Sequence, residues 1–188
     1  MSVQAYPMKW LPIFSAASET DWEALYRAEL PKIYNYFRYR FGNDALAEDL
    51  AATTFEKAWR ARNRYRRDLA GFSTWLHTIA RNVGIDHARS HRHEISLDGL
   101  LERPSDQSPE RDAVRNAEAA RLNALLAALD DRERELVALK YGADLTNREI
   151  AKLTGISESN VGTILHRTVA ALRKQWDGSG QSSAASRQ

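Results

Sequence analysis

The chain contains no cysteine, which excludes disulfide staples and thiolate metal sites and gives no reason to expect an oxidising compartment. Long apolar runs are also missing. The N-terminal stretch MSVQAYPMKWLPIF is interrupted by Pro7 and Pro12 and makes a poor signal peptide. No segment approaches the roughly 20 apolar residues of a membrane span. The sequence therefore reads as a soluble, cytoplasmic protein without membrane insertion. It lacks a glycine-rich phosphate cradle and a nucleophile elbow, so catalysis is not indicated. His87, His91 and His93 invite a metal reading, but no third ligand or carboxylate stands at a metal-site spacing, and neither a metal nor a cofactor is expected.

What is present is hydrophobic content of 43% across 188 residues, enough for one or two modest cores. Net charge is only +2, but it is unevenly placed: residues 60–92 hold eight Arg against two Asp, while residues 93–130 hold eight acidic and four basic groups. A local basic block is what a nucleic-acid footprint needs, even in a nearly neutral chain.

The segment 146–174 organises the C-terminal half. Thr146 can cap a helix with Glu149 reaching back to it, Ile150 and Leu153 give that helix an apolar side, and Gly155 supplies a turn of positive φ. Ser157 caps a second helix whose Val161, Ile164, Leu165, Thr168, Val169 and Leu172 recur at spacings of three and four. Its opposite face carries Ser159, Thr163, His166, Arg167 and Lys174, groups that can bond base edges or phosphate. This is the helix-turn-helix pattern, with its second helix suited to the major groove; an ordinary helical hairpin with a solvated face is the competing reading. Two helices precede it, one marked by Leu122, Leu125, Leu126 and Leu129, the next opened by Asp130 with Glu133 and closed at Gly142.

Upstream, Trp22, Leu25, Tyr26 and Leu30, then Ile33, Tyr34, Phe37 and Phe41, mark helical periodicity that Pro31 is expected to split into two pieces. A helix from Ala45 to about Arg62 follows, with Glu48, Asp49, Glu56 and Lys57 on its surface as a rigid docking element. Then comes RARNRYRRDLAGF, residues 60–72, five Arg with an embedded Tyr. Arginines that neutralise phosphate beside a ring that stacks on an unpaired base suit single-stranded nucleic acid, and a solvated loop is the alternative. The helix from Ser73 to about Arg89 places Asn82, Asp86 and Arg89 on one polar face.

The expected fold is all-α: two small helical domains joined by a flexible linker, the C-terminal one containing the helix-turn-helix. The expected boundaries are an extension over 1–20, whose Trp10, Leu11, Ile13 and Phe14 are apolar, a first domain over 21–92, a Pro- and Ser-containing acidic linker over 93–116, a second domain over 117–176 and a disordered tail over 177–188.

The order of these pieces resembles the extracytoplasmic-function group of the bacterial sigma-70 family, the two-domain initiation factors of RNA polymerase. The resemblance covers roughly residues 21–175 and rests on AEDLAATTFEKAW from Ala47 to Trp59, FSTWLHTIARNVGIDHAR from Phe72 to Arg89, and LDDRERELVALKYGADLTNREIAKLTGISESNVGTILHR from Leu129 to Arg167. It implies a promoter-directing factor whose partners are core RNA polymerase and promoter DNA, with an anti-sigma factor as a further candidate. It implies that Glu48, Asp49, Ala52 and Glu56 dock on polymerase, Ala52 standing where the family commonly has Gln. It implies that Asn63, Arg64, Tyr65, Arg66, Arg67, Asn82, Asp86 and Arg89 capture the unpaired −10 strand. Ser159, Asn160, Gly162, Thr163, His166, Arg167 and Lys174 would face the −35 element, Gly162 standing where a basic residue is common. Two other readings stay open, a two-domain helix-turn-helix regulator and a sigma-like decoy that sequesters an anti-sigma factor.

Overall fold

The computed structural model describes residues 21–66, 68–98 and 113–185, with the side chains of 91–98, 113–116 and 179–185 excepted. The N-terminal extension and Arg67 lie outside the described residues. Among the described residues helix follows helix: α1 (Trp22–Phe41), α2 (Asp44–Arg60), a 3-10 turn (Arg62–Arg64), α3 (Phe72–Asp98), α4 (Ala113–Ala127), α5 (Asp131–Val137), a π-helical turn (Ala138–Gly142), α6 (Asn147–Thr154) and α7 (Glu158–Ala185).

Local chemistry sets most of these ends. Asp21 caps α1 by accepting from the Ala24 N–H at 3.0 Å, and Gly42, at φ 69°, stops it by donating to the Arg38 carbonyl. Asn43 then caps α2 by accepting from the Leu46 N–H at 2.8 Å. Four expectations of extent are revised. Pro31 lies inside a continuous α1 instead of dividing it, because Ile33, Tyr36 and Phe37 bury against neighbouring helices and packing outweighs the one backbone bond a proline removes. Helix α3 passes residue 92 and runs to Asp98, since no Gly or Pro stands between Gly84 and Gly99. Helix α4 begins at Ala113 instead of residue 117. The tail expected to be disordered from 177 continues α7 through Ala185; once a helix is nucleated, each added residue closes a further hydrogen bond at little cost.

A single core crosses the two groups of helices. Ile33, Tyr36 and Phe37 of α1, Leu50 and Ala51 of α2, and Leu76, Ala80 and Val83 of α3 join Leu136, Val137, Leu139, Ile150, Val161 and Leu165 from the C-terminal group. Helix α1 is the shared wall, packing on α2 on one side and on α5 and the π turn on the other. Gly142 makes that approach: a Cβ there would stand 2.7 Å from the Asn35 carbonyl oxygen, closer than real side chains come to backbone. At the same seam two guanidinium groups converge on one carboxylate. Arg81 donates from Nε to Glu135 Oε1 at 3.1 Å, and Arg40 Nη1 lies 3.3 Å from the same oxygen. Arg40 and Glu135 are only 11% and 12% exposed. The adjacent Tyr36 is fully buried, and loss of hydration pushes its phenol well above its ordinary range.

Candidate nucleic-acid interface

The C-terminal polar face is built from short-range signals. The Glu149 N–H donates to Thr146 Oγ1 at 3.3 Å, while the Glu149 carboxylate accepts from the Thr146 N–H at 2.8 Å and its hydroxyl at 2.7 Å. These bonds complete the capping box and hold the Glu149 carboxyl below its ordinary pKa. Gly155, at φ 73°, closes α6 by donating to the Ala151 carbonyl at 2.9 Å. Ser157 then receives the Asn160 N–H on its hydroxyl and starts α7.

Val161, Leu165 and Thr168 of α7 are buried, and Ile164 and Leu172 are half-buried against the core. Ser159, Asn160, Thr163, His166, Arg167 and Lys174 are all exposed. Thr163 spends its proton on the Ser159 carbonyl at 3.0 Å, leaving its oxygen as an acceptor. Arg167 is 72% exposed and reaches Glu133 Oε1 at 3.3 Å, an exposed pair that is weak enough to exchange for a phosphate or a base edge. Gly162 differs from these: it is half-buried, and a Cβ on it would meet the Asn147 side chain at 3.4 Å, so it sits at the crossing of α7 over the start of α6.

The basic loop is held by aromatic side chains distant in sequence. Trp22, Trp59, Phe72 and Trp75 form an aromatic cluster with centroid separations of 5.3–6.3 Å, Trp22 meeting the other three edge-to-face and Phe72 tilted on Trp75. Tyr65 joins it, tilted on Trp75 at 5.1 Å and edge-on to Phe72 at 5.7 Å, and its hydroxyl donates to the Ala70 carbonyl at 3.3 Å. The ring read from sequence as a base-stacking platform is thus half-buried and anchors the loop, because its partners arrive from α3. Between Tyr65 and Ala70 the chain turns through Leu69 N–H to Arg66 carbonyl at 3.0 Å, braced by Arg66 donating twice to Asp68 at 2.8 and 3.0 Å. Arg62, which sequence reading did not single out, lays its guanidinium 4.2 Å from the Trp59 ring; the i, i+3 spacing to an aromatic was the available signal. Asn63, Arg64 and Arg66 are exposed.

Helix α3 continues this surface with Asn82, Asp86 and Arg89 exposed, Asp86 standing 3.7 Å from Lys57 of α2. His87 packs edge-on to Phe41 at 5.2 Å. On α2, Glu48, Asp49 and Glu56 are exposed and Ala52 is half-buried; Glu56 pairs with Arg60 one turn on. Among the described residues no helix is long and apolar enough to cross a membrane.

Comparison with known proteins matches the model of Sigma-70 region 2 over residues 25–94 and that of Sigma-70, region 4 over residues 119–172. The chain is 34% identical to the RNA polymerase sigma factor YlaC of Bacillus subtilis, covering 81% of this chain and 90% of that protein. It is 31% identical to the ECF RNA polymerase sigma factor RpoE of Cereibacter sphaeroides, covering 83% and 93%. It is 32% identical to the ECF sigma factor BldN of Streptomyces coelicolor, over 84% of this chain but only 61% of that protein's length. Among solved structures, the sigma factor RpoE bound to the anti-sigma factor NepR from Bartonella quintana shares the fold with a TM-score of 0.69 at 19% identity, covering 84% of this chain and 97% of that one.

Proposed function

Because the chain belongs to the extracytoplasmic-function group of the bacterial sigma-70 family, we propose that its two helix groups divide promoter recognition between duplex reading and strand capture. It is a transcription initiation factor that directs core RNA polymerase to promoters. Residues 21–92 form the unit that docks on polymerase and takes the −10 strand, and residues 117–176 form the unit that reads the −35 duplex.

Docking falls to the outward face of α2, where Glu48, Asp49, Ala52 and Glu56 lie along one side of a helix whose other side is fixed in the core. Ser159, Asn160, Thr163, His166, Arg167 and Lys174 meet the −35 major groove and its phosphates. Gly162 supports the helix crossing instead of touching a base. Opening the −10 element takes no hydrolysis. Extruding a base costs a few kcal/mol of stacking and pairing, offset by contacts to the freed strand. Asn63, Arg64, Arg66 and Arg67 hold phosphates; Asn82, whose amide both donates and accepts, reads a base edge with Asp86 and Arg89 beside it. Tyr65 shapes this surface from below. A regulator of the kind that holds the Bartonella relative fits the same reading.

The observation that carries it is that three chemically distinct polar faces, acidic on α2, basic on the loop with α3, and mixed on α7, all stand clear of one shared core. Replacing Asn63–Gly71 by a neutral Gly/Ser loop should leave polymerase and −35 binding largely intact and abolish strand opening, read as permanganate reactivity of −10 thymines in the assembled complex. Equal reactivity with the exchanged loop would refute the strand-capture role.

A further inference from the structure

We propose that His77 is an acid-operated release between the two helix groups: a second proton on its ring opens the contact of α3 with α6 and parts the −35 unit from the −10 unit. The proposal rests on the reading that the two groups take different promoter elements, which itself demands an opening. At about 3.4 Å per base pair, elements about 25 base pairs apart stand about 85 Å apart, whereas a folded chain of this length has a radius of gyration of about 16 Å. Two faces on one shared core therefore cannot hold both elements at once. His77 lies where the groups meet. It is 1% exposed, on a helix that packs against α1 and α2 of its own group and against α6 of the other.

Its Nδ1 stands 2.8 Å from the Ser73 carbonyl. A carbonyl only accepts, so this nitrogen holds the proton of the neutral ring. Nε2 is then the bare nitrogen, buried and without a hydrogen-bond partner among the described residues. A second proton there creates a charged donor with no acceptor. The charged groups around the ring do not supply one. From α1, the buried Glu29 carboxylate is already taken by Lys32 Nζ and Ser73 Oγ, each at 3.0 Å, and the Lys32 charge opposes another beside it. From α6, the charge of Glu149 reaches the ring, but its carboxylate is committed to the Thr146 N–H and hydroxyl. Burial, more than any of these charges, holds the imidazole below its ordinary 6.5. The closed form thus favours the neutral ring, and the open form, where water reaches Nε2, gains as pH falls below about 6.5. Helix α3 packs far more extensively on α2 than on α6, so the α6 side yields first.

The test follows the free full chain from about pH 8 to about pH 5, the range in which histidine changes charge, by small-angle scattering and far-ultraviolet circular dichroism. The parent should expand about 1.3-fold in radius of gyration, as two half-sized units moving apart imply, with its helicity unchanged. His77→Gln, which keeps a donor for the Ser73 carbonyl but cannot titrate, should stay closed throughout. His77→Leu should do the same, and it decides the matter where the glutamine variant fails to fold. A parent that does not expand would refute the release, as would variants that expand alongside it. Helicity lost in step with the expansion would make His77 a core residue whose charge unfolds its own group, and contraction in acid would mean that Glu149 captures the ring; either result overturns the proposal. Expansion that depends on His77, together with no −35 protection when the holoenzyme is footprinted on promoter DNA, would support the release and take down the division of promoter elements, so the two fail separately.

Discussion

The two nucleic-acid faces reach the same end, a polar surface held rigidly over a core, by opposite routes. The hairpin of α6 and α7 is fixed by residues within a few positions of one another: Thr146 with Glu149, Gly155, Ser157 with Asn160. The basic loop is fixed by rings that meet only in three dimensions, Trp22 from α1, Trp59 from α2, Phe72 and Trp75 from α3. The first should fail in small, local increments. The second depends on a shared cluster and should fail all at once.

The sharpest break is Trp75→Ala. Removing an aromatic that touches Trp22, Tyr65 and Phe72 should cost about 3 kcal/mol of folding stability. It should also free the loop, so that permanganate reactivity at −10 drops while −35 duplex binding survives. Chemical denaturation and a −35 titration on one preparation separate the two; equal loss at both faces would show that the aromatic cluster supports both alike.

A smaller effect is expected from Arg167→Ala, whose exposed side chain pairs with Glu133. It should weaken −35 duplex affinity by about 1–3 kcal/mol if it reads a base, or act alike on all sequences if it binds phosphate. Thermal stability should hardly move, because an exposed ion pair contributes little. A clear fall in melting temperature would show that Arg167 is a structural residue.

Thr146→Ala removes one hydrogen-bonding cap and should cost about 1 kcal/mol, leaving −10 opening untouched. It should also alter the acid limb of stability. The Glu149 carboxyl lies below its ordinary value of 4.5 chiefly through the Thr146 side chain, so its stabilising contribution is complete above that value and is lost as pH falls through the lowered one. Unfolding followed from pH 6 down to acid should therefore be flatter below about pH 4.5 in the variant. An unchanged slope would show that the capping box is not the source. His77, buried and held below 6.5 mainly by desolvation, acts in the same direction from a higher starting pH, and His77→Gln separates the two.

The same contrast explains what could be read from sequence. Caps at Thr146 and Ser157, the turn at Gly155, and the buried stripe of Val161 and Leu165 all follow from spacings of one to four residues. The outward position of Glu48, Asp49 and Glu56 is implied by the same periodicity. The burial of Tyr65, by contrast, depends on Trp75, and an embedded aromatic among arginines gives no sign of which way it faces. Pro31 within α1 and the continuation of α7 through Gly178 reverse local propensity because packing or an existing helix supports them. The turn of Gly162 toward Asn147 needs the crossing of two helices to be seen. Nothing local connects Arg40 and Arg81 with Glu135, so the seam was invisible until the helices were assembled.

That seam bears on how the chain melts. With Gly142 pressed on the Asn35 carbonyl and one core crossing α1, the two helix groups share part of their interiors and should unfold together, in a single calorimetric transition whose measured and van't Hoff enthalpies agree. A side chain at Gly142 would drive the groups apart and divide that transition in two. The glycine thus governs cooperativity across the molecule while touching neither DNA face.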